Sequence, residues 1–95
     1  SIYDKFEILA YSPKPRVRLG ETYDAQISLG AYSSQSIFDV VINQDTIHSM
    51  GGKAIYRMRP NKIGEQKYEA EIKIKNPLTG EPETFRKTFS FHVIP

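Results

Sequence analysis

The sequence predicts an all-β fold, an immunoglobulin-like antiparallel β-sandwich of about seven strands. Two stretches, residues 23–31 and 68–75, alternate apolar and polar side chains with a period of two. Groups of Pro, Gly, Asn and Ser separate these and other short apolar runs at intervals of roughly eight to twelve residues, which is the spacing expected of a sandwich or small barrel. Helical periodicity does not persist over about a dozen residues anywhere in the chain.

The first two strands are predicted over residues 6–11 and 23–31. The second is the most regular stretch of the chain, because its apolar members fall on one parity and Asp24, Gln26 and Ser28 fall on the other. This pattern is typical of a strand that buries one face only.

The middle of the chain predicts shorter strands over residues 37–43 and 54–59, with a weaker candidate over 47–50. Gly51-Gly52 predicts a two-residue hairpin turn that joins residues 47–50 to residues 53–56. The segment 59–66 leaves room for one helical turn at most, because Pro60 and Gly64 oppose a longer helix.

The last two strands, 68–75 and 84–93, predict a long antiparallel hairpin. Residues 76–82 connect them with Asn, Pro and Gly, which supply turn geometry. Phe85, Phe89, Phe91 and Val93 share one parity. Lys87 interrupts this apolar face, which indicates a position near a sheet edge.

One local pattern favours the immunoglobulin-like topology. Gly64, then Tyr68 at the start of a predicted strand, then Ala70 two residues later loosely matches the tyrosine-corner region of such domains. In that interpretation Ala25 and Ala70 are small core residues where antibody domains carry their cysteines.

Composition limits the function classes. Ninety-five residues suit a single domain, residues 1–95. Thirteen basic against eleven acidic residues give a net charge of +2, too small for the dense phosphate contacts of a nucleic-acid partner. The absence of Cys excludes a disulfide framework and a thiolate zinc site, and leaves the compartment open. We expect any targeting signal or membrane anchor to lie outside this fragment.

A metal site has little support in the sequence. His48 and His92 are the two histidines, and they are far apart along the chain. Asp45 lies three residues before His48, a spacing that could ligate an ion across a loop. We interpret this segment as an ordinary polar turn and His92 as a surface residue, so no metal-ligating or cofactor-binding residue is predicted.

Catalytic patterns are also lacking, which predicts a non-enzymatic domain with no small-molecule substrate. Ser33, Ser34 and Ser36 lie in a loop without the G-x-S-x-G arrangement of a nucleophile. Glu69 and Glu71 fall on the polar parity of one strand and are interpreted as solubility charges. Gly51-Gly52-Lys53 lacks the first glycine and the following Ser or Thr of a phosphate loop.

Binding surfaces remain possible. Six basic residues could gather into one patch beside exposed tyrosines that stack on sugars or bases, or they could simply solvate a face. They are Arg16, Arg18, Arg57, Arg59, Lys62 and Lys67. The exposed edges of a sandwich can also bind another chain by strand addition. The sequence does not assign a partner-binding surface.

Three segments together resemble one family. They are KPRVRLGETYDAQISLGAY at residues 14–32, GKAIY at 52–56, and IGEQKY at 63–68 followed by IKIKNPLTGE at 72–81. In order and spacing they are similar to an immunoglobulin-like domain of the GldM/PorM proteins of type IX secretion and gliding motility. The resemblance extends from about residue 6 to residue 93, and its motifs are strand and turn patterns, not catalytic ones.

The resemblance implies a periplasmic domain of a longer, multidomain, homodimeric protein anchored in the inner membrane. Such proteins partner a GldL/PorL-type membrane subunit through regions outside this fragment, and reach toward GldK/PorK and GldN/PorN ring components at the outer membrane. The implied role is structural and force-transmitting, with load entering near Phe6 and leaving near Val93. The alternative is a ligand-binding sandwich, an adhesin or carbohydrate-binding module of a secreted or surface protein, which a row of exposed aromatics on one sheet would favour.

Overall fold

The computed structural model describes residues 8–30, 37–75 and 79–95, and within these ranges it contains β-strands and no helix. The eight strands, in chain order, are β1 (Ile8–Tyr11), β2 (Arg16–Arg18), β3 (Tyr23–Leu29), β4 (Asp39–Ile42), β5 (Asp45–His48), β6 (Ala54–Met58), β7 (Gly64–Lys75) and β8 (Pro82–Ile94). The segment 59–66, where one helical turn was allowed, instead contains the start of β7.

The strands form two sheets that pack as a sandwich. One sheet has the order β1-β3-β6 and the other has the order β2-β8-β7-β4-β5. The run β8-β7-β4-β5 corresponds to the G-F-C-C′ strands of variable-type immunoglobulin domains, and β3-β6 corresponds to B-E. The predicted all-β sandwich is therefore confirmed. Two details differ: the described residues contain eight strands, and β2 pairs with β8 in parallel.

The core lies between the sheets and is built by alternate side chains of each strand. The predicted inward parities of β3 and β7 are confirmed, since every second residue of β3, and of β7 from Tyr68 onward, is buried. Large side chains that are almost fully buried come from both sheets: Ile27, Ile42, Ile72, Val17, Val40 and Val93. Shared burial of this kind is the main stabilising contribution in a small sandwich.

Two tight turns reverse the middle of the chain. Asn43 and Gln44 join β4 to β5 with positive φ angles of 51° and 72°, the conformation of a type I′ hairpin. Gly51 and Gly52 form the predicted two-residue turn, and the Met50 and Lys53 amides donate to each other's carbonyls at 2.7 and 3.3 Å. The predicted hairpin is wrong beyond this single bridge, because β5 and β6 belong to different sheets.

Strand limits differ from the predicted ones where the pattern was short. The candidate strand at 47–50 is replaced by β5, which begins at Asp45. β7 begins at Gly64, four residues before Tyr68. The molecule is elongated, with extents of 48 × 21 × 20 Å, because the β7–β8 hairpin is the longest feature of the fold.

Candidate functional site

The structure brings the beginning and the end of the chain together in the parallel pair formed by β2 and β8, called here the β2–β8 pair. Its outer hydrogen bonds run from His92 N to Pro15 O, 3.0 Å, and from Leu19 N to Ile94 O, 2.8 Å. Bonding residues alternate in a parallel ladder, so Val17 directs its amide and carbonyl to β8 while Arg16 directs its amide away. The Val17 side chain is buried opposite Val93.

The direction of the strands determines how this pair responds to tension. β1 leads into β2 after four residues, 12–15, and β2 then runs parallel to β8. Tension between Ile8 and Ile94 therefore draws β2 and β8 in opposite directions along their own axes. All the bonds between the two strands are then strained together, in shear, and cannot open one after another.

A tight turn secures the end of β2. Glu21 N donates to Arg18 O at 2.9 Å, and Gly20 has a φ of +93°, as a type II turn requires at its third position. The Glu21 carboxylate accepts from Lys14 Nζ at 2.9 Å and from Arg18 N at 2.7 Å. Both bonds lower the pKa of the Glu21 carboxyl, and the bond from Lys14 has the larger effect. The Arg18 guanidinium also donates to Pro95 O, 2.9 Å.

Lys87, the residue that interrupts the apolar parity of β8, connects the two sheets. Its Nζ donates to Ile8 O on β1 at 3.2 Å and lies 5.5 Å from the centre of the Phe89 ring. β2 covers β8 only from His92 onward, so Lys87 lies at a sheet edge within the described residues, as predicted. The lysine therefore ties the edge of one sheet to the first strand of the other.

An aromatic cluster fills the core near the β2–β8 pair. The Tyr23 ring stacks on Phe91 with centroids 3.8 Å apart, and the Tyr23 and Tyr68 hydroxyl oxygens are 2.9 Å apart. Burial, followed by the bond with Tyr23, raises the pKa of the Tyr68 hydroxyl. Burial also raises the pKa of Tyr56, whose ring centroid is 4.7 Å from that of Tyr68.

The tyrosine-corner prediction is wrong in its geometry. Tyr68 is the fifth residue of β7, and its hydroxyl bonds across the core to Tyr23, where a corner would bond to nearby backbone. Ala25 on β3 and Ala70 on β7 are both buried, so their predicted role as small core residues is confirmed.

The candidate metal ligands are not brought together. His48 Nδ1 lies 2.7 Å from Asp39 Oδ1, whereas Asp45 is at the opposite end of β5 and pairs with Ile42. His92 is on the outer face of β8, across from Glu65. No group of three or more His, Cys, Asp or Glu placed to hold a metal occurs among residues 8–30, 37–75 and 79–95.

The candidate carboxylates lie on a solvated face, as predicted. Glu69 and Glu71 point outward from β7, and Glu71 binds Arg86 Nε at 2.9 Å and lies 3.6 Å from Lys73 Nζ. A carboxylate held between two cations on an open sheet is not prepared for acid–base catalysis. Ser33, Ser34 and Ser36 lie outside the described residues.

The six basic residues do not form one patch. Arg16 and Arg18 belong to the five-stranded sheet, whereas Arg57 belongs to β6 in the other sheet. Arg57 Nε lies 3.1 Å from Asp24 Oδ1 without hydrogen-bond alignment. Lys67 lies 3.7 Å from Glu65. Arg59 and Lys62 are in the connection between β6 and β7.

The outer face of the three-stranded sheet carries a small apolar group. The register places Tyr11 beside Gln26, and Gln26 beside Ile55. A shallow cavity of about 210 Å³ adjoins them and is lined by Pro13, Asp24, Ala25, Gln26, Ile55 and Arg57. Tyr11, 64% exposed, is the only exposed aromatic side chain in the described ranges.

Sequence reasoning missed the elements that organise this region. β2 is three residues long with one buried side chain, too short for a periodic signal. The bond between Tyr23 and Tyr68 joins residues 45 positions apart. Only the family resemblance, through its first segment at residues 14–32, covered β2.

The sequence matches a known protein family. A family model described as the GldM second domain matches residues 2–95, almost the whole chain. No curated protein and no solved structure matches. Residues 8–30, 37–75 and 79–95 contain no helix long and apolar enough to cross a membrane.

Proposed function

Because the chain belongs to the GldM family, whose second-domain model it matches, we propose that it is a non-enzymatic, force-transmitting structural domain. Family membership makes it a component of gliding motility or type IX protein secretion machinery in general. The proposed role is to carry load within a motor subunit, between an inner-membrane motor and components associated with the outer membrane.

The observation that carries this proposal is the β2–β8 pair. Strands that resist tension best are those whose hydrogen bonds must all break together, and the parallel arrangement of β2 and β8 has that property under tension applied along the chain. The Leu19–Ile94 and His92–Pro15 bonds close the pair at both ends. Arg18 adds a bond to Pro95 O at the point where load would leave.

The shape of the molecule also supports the proposal. β1 begins beside Lys87, midway along β8, and β8 ends at Ile94, so load would enter and leave at different levels of a body 48 Å long. Tandem domains joined in this way form a rod. Lys87 supports β1 on the entry side by its bond to Ile8 O.

We extend the proposal to partners and location. The longer protein would be a homodimer anchored in the inner membrane, with this domain in the periplasm. It would pair with a GldL/PorL-type subunit through regions outside this fragment, and would contact GldK/PorK- and GldN/PorN-type ring components. No cofactor or small-molecule substrate is proposed.

The alternative, a ligand-binding module, has weaker support. A carbohydrate-binding or adhesin surface would present several aromatic side chains on one sheet, and among the described residues only Tyr11 is exposed. The adjacent 210 Å³ cavity is shallow and contains an ion pair between Asp24 and Arg57.

The proposal is tested in native cells that carry a Val17→Pro variant, which removes a β2–β8 bond and also alters a buried side chain. Val17→Ala, which keeps the amide, is the control for packing, and Arg16→Pro is the control for proline, because the Arg16 amide points away from β8. We expect the Val17→Pro protein to reach normal abundance and to sediment with the inner membrane. Protease should cleave it only after the outer membrane is opened, and it should fail to support secretion. Normal secretion by Val17→Pro cells, or a soluble secreted polypeptide, would contradict the proposal.

A further inference from the structure

Two apolar side chains stand out at one end of the sandwich. Ile37 is 84% exposed and Met50 is 87% exposed, more than any other large hydrophobic residue that the structure describes. Single exposed apolar residues are ordinary, whereas contiguous exposed apolar patches mark contact surfaces. The two are called here the entry patch.

The backbone places these two residues together at the end of the β4–β5 ladder. Ser49 N donates to Phe38 O at 3.0 Å, and Phe38 N donates to Ser49 Oγ at 2.9 Å, so the pairing extends one residue beyond Asp39 and His48. Ile37 and Met50 adjoin this last bonded pair, on the alternate parity from the buried Phe38 and the half-buried Ser49. The patch therefore lies where the two strands meet the edge of the ladder.

The patch is also held in place. The backbone of Met50 is fixed by its two hydrogen bonds with Lys53 across the Gly51-Gly52 turn. Next to the patch, His48 Nδ1 lies 2.7 Å from Asp39 Oδ1, and these two polar side chains border the apolar residues. An apolar centre with a polar rim is the usual composition of a protein–protein contact.

The position of the patch along β8 indicates which partner it could contact. Asp39 aligns with Lys73, and Lys73 aligns with Thr84, so Ile37 lies level with the start of β8 at Pro82. Ile8 is bonded to Lys87, five residues further along β8, and β1 runs away from the patch. The patch thus lies roughly 17 Å from Ile8 along the direction of β8, on the side opposite to that toward which β1 runs.

Whatever is joined ahead of Ser1 can reach this end. Seven residues precede Ile8, and seven residues span at most about 25 Å. At the other end, where β8 finishes, Leu19 and Ile63 are 46% and 57% exposed and are less prominent. The entry patch is therefore the more exposed of the two apolar surfaces.

We propose that Ile37 and Met50 form the docking surface for the domain that precedes this one in the longer chain. The inference rests on the proposed function, because it requires this domain to be one link of a multidomain shaft. An apolar contact at the junction would keep the two domains from pivoting about a flexible linker, so that load passes through both as one body.

The test uses single cysteines, since this chain contains none of its own. Met50→Cys is placed in the full-length native protein, with any other cysteine replaced by Ser, and in the 95-residue chain, and both are reacted with a maleimide-polyethylene glycol. Tyr11→Cys, on the side of the three-stranded sheet, is the control. We expect Met50→Cys to react at least about tenfold more slowly in the full-length protein, because a covered thiolate is not accessible, and Tyr11→Cys to react equally in both.

Deleting the preceding domain from the full-length protein should restore rapid labelling of Met50→Cys. Equal labelling in the intact full-length protein and the 95-residue chain would overturn the inference and leave the proposed load-bearing role untouched. Protection that survives the deletion but is lost on dilution would assign the patch to a second copy, and protection that needs other cell components would assign it to another protein; either result overturns the inference.

Discussion

Replacing Tyr68 by Ala should be among the most damaging single changes in the core. Tyr68 is 4% exposed and packs against Tyr23, Tyr56 and Phe89. Removal of a buried aromatic ring costs about 3 to 5 kcal/mol, because the lost contacts leave a cavity. The Tyr23 hydroxyl also loses its partner, which places the expected loss at the upper end of that range.

Two companion variants separate the contributions. Tyr68→Phe keeps the ring and removes the hydroxyl, so it should cost about 1 to 2 kcal/mol from the unpaired Tyr23 oxygen. Phe89→Ala removes a half-buried ring and should cost less than Tyr68→Ala. Tyr11→Ala, at an exposed site, should change the stability by less than about 0.5 kcal/mol.

Urea unfolding followed by tyrosine fluorescence and far-ultraviolet circular dichroism measures these differences. Small domains have only about 5 to 15 kcal/mol of stability, so Tyr68→Ala should move the midpoint far down or unfold a large fraction of molecules. If Tyr68→Ala lost less than about 1 kcal/mol with an unchanged slope, the assignment of Tyr68 to the inter-sheet core would be refuted.

Three further predictions concern pH, a turn and an edge. Folding raises the pKa of Tyr68 and Tyr56, so the folded state keeps these protons near pH 10, where the unfolded chain releases them. The urea midpoint should therefore fall as the pH rises above about 10. A midpoint that does not change with pH in wild type, or a pH dependence in Tyr68→Phe equal to that of wild type, would contradict this. Gln44→Gly should stabilise by about 0.5 to 1 kcal/mol, because Gln44 has a φ of 72°; a lower midpoint would show that the turn is not type I′. Lys87→Met should speed amide hydrogen exchange in β1, because it removes the bond to Ile8 O, whereas Lys87→Arg should largely restore protection; unchanged exchange in Lys87→Met would show that the bond does not hold β1.

The parts of the fold that were predictable from sequence are those with a periodic burial pattern. β3 and the inner face of β7 show it, because one side of each strand faces the core and the other faces water. β2 was not predictable, since a three-residue parallel strand with a single buried residue has no period. The β4–β5 turn was also not predictable, because Asn43-Gln44 adopts a conformation for which the usual sequence is Asn-Gly.

The candidate site was less accessible to sequence reasoning. A load path from near Phe6 to near Val93 was expected, but the parallel register of Val17 with Val93 depends on how distant segments pack. Lys87 was noticed as an interruption, and only the structure shows that its amine reaches Ile8 O. Local patterns report which face of a strand is buried, and they do not report its partner across the core.

The central claim, that the β2–β8 pair bears load, is tested most directly by single-molecule force spectroscopy of tandem repeats pulled through their termini. Val17→Pro should unfold at a clearly lower force than wild type, while Arg16→Pro should unfold at the wild-type force. Tyr68→Phe should lower equilibrium stability and leave the peak force nearly unchanged, because the hydroxyl that it removes bonds to Tyr23 and not between β2 and β8. Equal unfolding forces for Val17→Pro and wild type would contradict the account.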